Sequence, residues 1–260
     1  MGTTIAVTSL ALFSMFFGAG NLIFPPSLAV QAGDNFWPAI LGFLGTGALL
    51  PVLAVIAIAL AGTDVRDLAR RAGSVFGSVF PVLAYLSIGA FYALPRTGAV
   101  SMETAITPLF GVEGVFASAV FNIIFFGVAL ALSWNPTTIM DTLGKFLVPA
   151  LVVLLLIMIG VSITRWGAQP STPAPEYADS PFTAGLLEGY LTMDSIAALA
   201  FAIVVISTLR SKGYQGRELV SGTIIAGVGA GLILALIYLG LGSIGRVIPD
   251  GAQYENGAGL

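Results

Sequence analysis

The sequence contains neither cysteine nor histidine. The absence of cysteine excludes disulfides, thiolate nucleophiles and cysteine-ligated metals. The absence of histidine excludes imidazole acid–base chemistry, most zinc sites and histidine proton relays. An intramembrane zinc protease and a serine–histidine hydrolase are therefore both excluded for these 260 residues.

Charged residues are also scarce. They make up 9% of the chain, whereas a typical soluble domain has about 25%. Hydrophobic residues make up 57%, and the mean hydropathy is +0.98. This composition indicates an integral membrane protein. The net charge of -3 provides no basic stripe for phosphate groups, so nucleic acid is not an expected partner.

The sequence contains several long apolar segments. Each is close to the ~20 residues that cross ~30 Å of hydrocarbon. Seven spans are predicted, at residues 4–30, 37–61, 74–108, 115–134, 143–164, 182–209 and 219–244. The loops on the N-terminal side hold Arg66, Arg70, Arg71, Lys145, Arg210, Lys212 and Arg217, and the opposite side holds Arg165 and Arg246. This bias predicts a cytoplasmic N-terminus.

The first apolar run is interrupted by Phe16–Pro26, which contains two glycines, one asparagine and two prolines. Glycine and proline disfavour an uninterrupted helix. Unpaired backbone groups are costly in lipid, so a broken helix persists there only where protein or water supplies partners. One interpretation is a helix broken at Gly18–Asn21 to form a ligand site. The other is a kinked helix whose glycines allow close packing, and this segment alone leaves both open.

A second polar interruption occurs in the sixth span, at Glu188–Ser195. It lacks proline, so its signal for unwinding is weaker. Glu188 lies near the outer end and suits the membrane interface. Asp194 is deeper, and its simplest structural role is to cap a helix that continues to Leu209. Discontinuous helices in corresponding positions of two repeats are typical of inverted-repeat transporters, whose binding site lies between them at the midplane.

The third span carries two ionisable residues, Arg96 and Glu103, which lie on one helix face because they are seven residues apart. Such groups at membrane depth usually face a cavity or each other. The two could pair through a water or each pair elsewhere. We favour a structural role, as a buried salt bridge or a group that snorkels to the outer interface.

The segment Phe17–Pro26 resembles the first-span motif of bacterial branched-chain amino acid carriers, the BrnQ-type LIVCS family. Similar motifs follow in the same order at Leu94–Thr97, Asp141–Leu147 and Gly189–Asp194, so the resemblance covers the whole chain. It implies an all-α, LeuT-like inverted-repeat fold of the amino acid–polyamine–organocation superfamily. It also implies import of leucine, isoleucine and valine with sodium, by alternating access across the bacterial inner membrane.

The resemblance further implies a set of site residues. Those expected to bind the substrate's carboxylate and shape the unwound first span are Gly18, Ala19, Gly20 and Asn21. Those expected to face its ammonium and side chain, or to support the second break, are Tyr190, Leu191, Thr192 and Asp194. The carbonyls of Phe16 and Phe17 are sodium candidates, and Tyr85 or Tyr92 could gate the site. We expect no enzymatic activity and no cofactor beyond the coupling sodium ion.

Members of this family have about twelve spans. We therefore expect either that this chain is a fragment or that the remaining spans of the protein are not included in it. In the repeat scheme, residues 1–164 form the first five-helix repeat, 165–181 an extracytoplasmic loop, 182–244 the first two helices of the second repeat and 245–260 a polar loop. The eighth span, which completes a sodium site in the LeuT-like fold, is then missing.

Two other classes of function remain as alternatives. Broken spans could line the pore of a membrane channel or receptor, although a channel usually needs rings of like groups from several subunits. An intramembrane aspartyl protease would need Asp141 and Asp194 together. Asp141 lies at the cytoplasmic end of the fifth predicted span, and no matching motif surrounds Asp194, so a carrier is favoured.

Overall fold

The computed structural model describes residues 2–62, 65–134, 148–164 and 172–248. Within these ranges every regular element is helical, as the composition predicts. Five helical runs are long and apolar enough to cross a membrane, and they cover Ala19–Ala61, Ser74–Phe110, Val115–Ser133, Asp194–Ser211 and Gly216–Gly245. Shorter apolar helices cover Gly2–Phe16 and Ala150–Thr164. The motif at Asp141–Leu147 lies outside the described residues.

The first predicted span consists of two helices, α1 (Gly2–Phe16) and α2 (Ala19–Ala32). The break lies at Phe17 and Gly18, so the predicted position, Gly18–Asn21, is corrected towards the N-terminus. Gly18 is extended (φ -114°, ψ -173°), whereas Ala19 to Asn21 already form the first turn of α2. Pro25 and Pro26 lie inside α2, which membrane helices tolerate where neighbouring groups satisfy the freed carbonyls.

The second span follows after a sharp turn. Gly33 has a positive φ of 49°, a conformation that glycine adopts readily and other residues rarely do. The elements are a 3₁₀ turn (Gly33–Asn35), α3 (Phe36–Leu44), a π-helical turn (Gly45–Leu49) and α4 (Leu50–Ala61).

The third span is also interrupted, which the sequence reasoning missed. After α5 (Val65–Ala69), this span contains α6 (Ser74–Leu86), a π-helical turn (Ser87–Phe91), α7 (Ala93–Ser101), a second π-helical turn (Met102–Ile106) and α8 (Thr107–Phe110). Gly89 and Tyr92 leave the helical region, with ψ of -113° and φ of -137° respectively. Single π-helical turns of this kind occur frequently at functional sites.

The remaining elements of the described residues follow in chain order. They are α9 (Val115–Ser133), α10 (Val148–Thr164), α11 (Pro175–Asp179), α12 (Pro181–Tyr190), α13 (Asp194–Ser211) and α14 (Gly216–Gly245). The sixth span is broken between α12 and α13, at residues 191–193. The described part of the loop before it, residues 172–180, contains α11, whose Tyr177 is only 1% exposed.

Helices α3 and α12 pack at backbone distance along a glycine seam formed by Gly42, Gly185 and Gly189. A Cβ atom at Gly185 would collide with the carbonyl oxygen of Ala39, and one at Gly189 with that of Phe43. Small residues allow this close approach between membrane helices. A hydrogen bond of 2.6 Å from Thr46 Oγ1 to the carbonyl oxygen of Leu186 ties the same two spans.

Two ends of the helical assembly can be distinguished by their basic residues. The short helix α5 and its following turn, which carry Arg66, Arg70 and Arg71, pack beside α13 and α6. Arg217, at the start of α14, lies beside Ile5 of α1. Arg246, at the far end of α14, instead stacks over Phe36 at 5.2 Å. Lys145 and Arg165 lie outside the described residues, and the orientation of the N-terminus stays a prediction.

Candidate functional site

The breaks of the first, third and sixth spans meet on one cavity of about 130 Å³. A cavity of this order holds one small organic molecule. Its wall includes Phe16, Gly18, Ala19, Gly20 and Asn21 of the first span, Ile88, Tyr92 and Arg96 of the third, and Thr192, Met193 and Asp194 of the sixth. The structure therefore brings together three interruptions that are far apart in the sequence.

At the first break, the side chain of Asn21 replaces part of the missing helical hydrogen bonding. Its Oδ1 accepts a hydrogen bond from the backbone N–H of Gly18 at 3.2 Å. The last carbonyls of α1 and the first N–H groups of α2 have no partner within their own helices. The break consequently presents a partly negative helix end and a partly positive helix end close to each other.

At the sixth-span break, a threonine hydroxyl connects the two helices. Thr192 Oγ1 donates to the carbonyl oxygen of Gly189 at 2.8 Å and accepts from the N–H of Asp194 at 3.4 Å. Met193 takes the left-handed conformation (φ 63°, ψ 11°) at the N-cap position of α13. The expected capping role of Asp194 is corrected, because Asp194 is the first helical residue and its carboxylate points to another span.

That carboxylate belongs to a polar triad formed by Asn21, Asp194 and Tyr238. Asp194 Oδ2 accepts from Asn21 Nδ2 at 2.6 Å and from the Tyr238 hydroxyl at 2.6 Å. The amide of Asn21 also donates to the Tyr238 oxygen. All three side chains are buried, with at most 2% of their surface exposed. A buried carboxylate requires such donors, since an unpaired one is very costly.

Tyr238 was not predicted to belong to the site. It lies on α14, and its ring packs edge-on against Phe43 at 5.1 Å. The available signal was a single phenol in the middle of a long apolar helix, where a buried hydroxyl needs a partner. The sequence does not say which span supplies that partner.

Arg96 also lies in the cavity wall, in contrast to the structural role favoured from the sequence. Its Nη1 donates to the carbonyl oxygen of Leu191 at 2.9 Å. Its guanidinium stacks over the ring of Phe24 at 4.5 Å, and a Cβ atom at Gly20 would collide with it. Arg96 thus contacts both other interrupted spans, whereas Glu103 is exposed.

Other predicted site residues lie at or beyond the edge of the cavity. The side chains of Tyr190 and Leu191 are about half exposed, at 48% and 46%, and neither is in the wall. Leu191 contributes its carbonyl to Arg96. Tyr92 is in the wall, but Tyr85 is not. Phe17 is likewise outside the wall, and its N–H donates to the carbonyl oxygen of Phe13 at 2.9 Å.

The described residues contain no group of three or more Asp and Glu side chains suited to a metal ion. Backbone carbonyl and hydroxyl oxygens are ligands that hard cations accept. The carbonyls at the end of α1, where Phe16 borders the cavity, are of this type.

Residues 174–177 connect α2 and the turn after it to α12 through hydrogen bonds. The N–H of Ala174 donates to the carbonyl oxygen of Gln31 at 2.8 Å, and Asn35 Nδ2 donates to the carbonyl oxygen of Tyr177 at 2.9 Å. The Tyr177 hydroxyl donates to Glu188 Oε2 at 3.4 Å. Burial, and then the nearby Glu188 carboxylate, raise the pKa of Tyr177, so the phenol remains the donor of this hydrogen bond.

Comparison with known proteins gives consistent results. Residues 1–260 match the family model described as branched-chain amino acid transport protein. The chain is 56% identical over 261 residues to a branched-chain amino acid permease BrnQ of Corynebacterium glutamicum, covering 99% of this chain and 60% of the relative. It is 44% identical over 238 residues to a branched-chain amino acid permease BraB of Bacillus subtilis, covering 90% and 53%.

A third relative is the branched-chain amino acid transport system 3 carrier protein of Pseudomonas aeruginosa, 42% identical over 246 residues, which cover 94% of this chain and 56% of the relative. The chain therefore spans between about half and 60% of the length of these curated relatives. No solved structure matches the chain.

Proposed function

The chain belongs to the branched-chain amino acid transport protein family, and we propose that it forms the substrate-binding part of a secondary carrier for leucine, isoleucine and valine. The observation that carries this proposal is the meeting of the first and sixth helix breaks on one cavity. Discontinuous helices at the midplane are the usual location of substrate sites in such carriers. In this proposal, the described helices belong to a LeuT-like inverted repeat.

The substrate's carboxylate binds at the first turn of α2. Ala19, Gly20 and Asn21 lie there, and the N-terminus of a helix offers free N–H groups and a partial positive charge to an anion. Gly18 has no side chain, so it leaves the approach to this turn open. The ammonium group binds at the opposite helix ends, near Thr192 and Asp194, where carbonyl oxygens and a carboxylate are concentrated.

The aliphatic side chain of the substrate binds the apolar part of the wall. Met15, Ile88, Ala197 and Phe201 line the cavity without polar side-chain groups other than a thioether. An apolar pocket distinguishes single methylenes by only ~1–3 kcal/mol. Leucine, isoleucine and valine are therefore expected to share the site, with different affinities.

Sodium is the proposed coupling ion. The carbonyls of Phe16 and Phe17 are the proposed ligands from this chain, because they lie at the partly negative end of α1. Alternating access then exposes the site to either side of the bacterial inner membrane, with the N-terminus in the cytoplasm. The distribution of basic residues on the described loops supports this orientation.

The test is uptake of labelled leucine by the full-length gene product in proteoliposomes. We expect saturable uptake that is inhibited by isoleucine and valine and that requires an inward sodium gradient. Empty liposomes and a matched potassium gradient are the controls. Uptake that rises linearly with leucine concentration would indicate a channel instead, and saturable uptake that ignores sodium would remove the coupling ion from the proposal.

A further inference from the structure

The guanidinium group of Arg96 is the only basic side chain in the described wall of the cavity. Resting on the proposed function, we propose that Arg96 binds the substrate's carboxylate together with the first turn of α2, and that it is the residue that makes the carrier select ligands with a free carboxylate.

The position of the guanidinium supports this role. It occupies the space that a Cβ atom of Gly20 would need, so it lies directly against the first turn of α2. A carboxylate at that helix end would meet the guanidinium as well as the backbone N–H groups. Arginine presents its N–H donors in a planar fork that matches the two oxygens of a carboxylate.

The contacts of Arg96 leave donors for a ligand. Among the described residues it makes one hydrogen bond, from Nη1 to the Leu191 carbonyl oxygen. The Arg96 Cζ atom lies over two aromatic rings, at 4.5 Å from the centroid of Phe24 and 5.8 Å from that of Tyr92. Cation–π contacts of this kind attract the charged group and use none of its N–H donors in a hydrogen bond.

The charges of the wall are complementary to a zwitterion. Arg96 and Asp194 are the charged side chains in the described wall, and they come from different spans. Asp194 is partnered by Asn21 and Tyr238, so it does not neutralise Arg96 through a direct hydrogen bond. A ligand with a carboxylate and an ammonium group can therefore place its carboxylate near Arg96 and its ammonium group near Asp194.

A structural role for Arg96 predicts something different. If Arg96 only held the Leu191 carbonyl and closed the end of α12, its loss would weaken every ligand to a similar degree. The two roles are distinguished by comparing L-leucine with L-leucinamide, which keeps the ammonium group and the side chain but lacks the carboxylate charge.

The experiment measures direct binding of both ligands to the purified full-length gene product in lipid nanodiscs. For Arg96→Gln we expect leucine affinity to fall by roughly 10- to 100-fold, as loss of charge-assisted hydrogen bonds implies, and leucinamide affinity to change by less than about threefold. Arg96→Lys should lose part of the preference for leucine, because it keeps the charge and loses the fork.

Arg246→Gln is the matched control. Arg246 also stacks on a phenylalanine, Phe36, but lies outside the cavity wall, so the ratio of the two affinities should stay at the wild-type value. Equal weakening of leucine and leucinamide in Arg96→Gln would overturn the inference and leave the proposed function intact. A wild-type protein that binds neither ligand would overturn both. If Arg96→Gln does not fold, an unchanged affinity ratio in Arg96→Lys would overturn the inference.

Discussion

The first-span and sixth-span breaks, two of the three that meet on the cavity, are built in different ways. In the first span, the helix is interrupted at Gly18, which has no side chain. The side chain of Asn21 accepts the hydrogen bond of the Gly18 N–H. In the sixth span, every residue of the break carries a side chain. There the Thr192 hydroxyl bonds both helix ends, and Met193 adopts a left-handed conformation.

The first break therefore depends on the space beside it, and the second depends on polar groups. The backbone is free to turn at Gly18, but the adjoining turn of α2 must have no side chain at Gly20, because Arg96 fills that space. A break with side chains is sterically filled but must keep its hydrogen bonds. The polar triad joins them, because Asn21 comes from one break and Asp194 from the other.

Removing the acceptor of the triad should have the largest effect on the free energy of unfolding. In Asp194→Ala, the Asn21 amide and the Tyr238 hydroxyl lose their acceptor in a buried environment. We expect the free energy of unfolding to fall by about 1–3 kcal/mol for each donor left unpaired, measured by denaturation in detergent micelles. Asp194→Asn is the control, since its carbonyl oxygen can still accept. If both variants lose the same stability, the triad does not join the breaks as described.

The requirement for space can be tested by comparing Gly20, in the first turn of α2, with Gly18, in the break itself. Gly20→Ala should lower the free energy of unfolding by about 1 kcal/mol, at the low end for an added methyl group, because the methyl group displaces only the flexible end of Arg96. Gly18→Ala is the comparison, since an added Cβ atom there would have its nearest neighbours at 3.7 and 3.9 Å and the extended backbone suits alanine. Its unfolding free energy should stay the same or rise by up to about 1 kcal/mol. Similar losses in both variants would contradict the steric account.

The requirement for polar groups can be tested at Thr192. Thr192→Val removes the hydroxyl and keeps the shape, and it should reduce the free energy of unfolding by about 1 kcal/mol, as expected for loss of a hydrogen bond. Thr192→Ser retains the hydroxyl and should stay closer to the wild type. Thermal unfolding of the purified protein measures both, and a valine variant as stable as the serine variant would show that the hydroxyl is dispensable.

The smallest effect is expected at Met193. Its left-handed conformation costs about 1–2 kcal/mol for a residue with a Cβ atom, and glycine avoids that cost while losing more backbone entropy on folding, by about 0.5–1 kcal/mol. Met193→Gly should therefore raise the free energy of unfolding slightly. Met193→Ala keeps the Cβ atom and should show no gain in the same denaturation experiment. A loss of stability with glycine would mean that the methionine side chain outweighs the backbone cost.

Much of the first break could be predicted because its signal is local. Two glycines, an asparagine and two prolines disfavour a continuous helix whatever surrounds them. The position of the break was wrong by a few residues, since Gly18 and Gly20 are both permissive. The hydrogen bond between Asn21 and Gly18, which a composition argument does not resolve, favours the earlier position.

Features that depend on contacts between spans could not be predicted. The partnership of Tyr238 with Asp194 and the contact of Arg96 with Gly20 arise only when three or four spans pack together. The interruption at Gly89 and Tyr92 is another case, because it contains no proline, and the nearest prolines of that span, Pro81 and Pro95, lie to either side of it. Most of the residues that the family resemblance named, including those at the first break, Thr192 and Asp194, border the cavity, whereas Tyr190 and Leu191 do not. Their roles in binding stay predictions.

The glycine seam between α3 and α12 has a mechanical consequence. Backbone atoms of the two helices touch there, so neither can slide or rotate past the other without separating the seam. In the proposed carrier, a movement of α12 is therefore expected to carry α3 with it. Residues 191–193, where the Thr192 hydroxyl and the left-handed Met193 lie, then connect this pair of helices to α13.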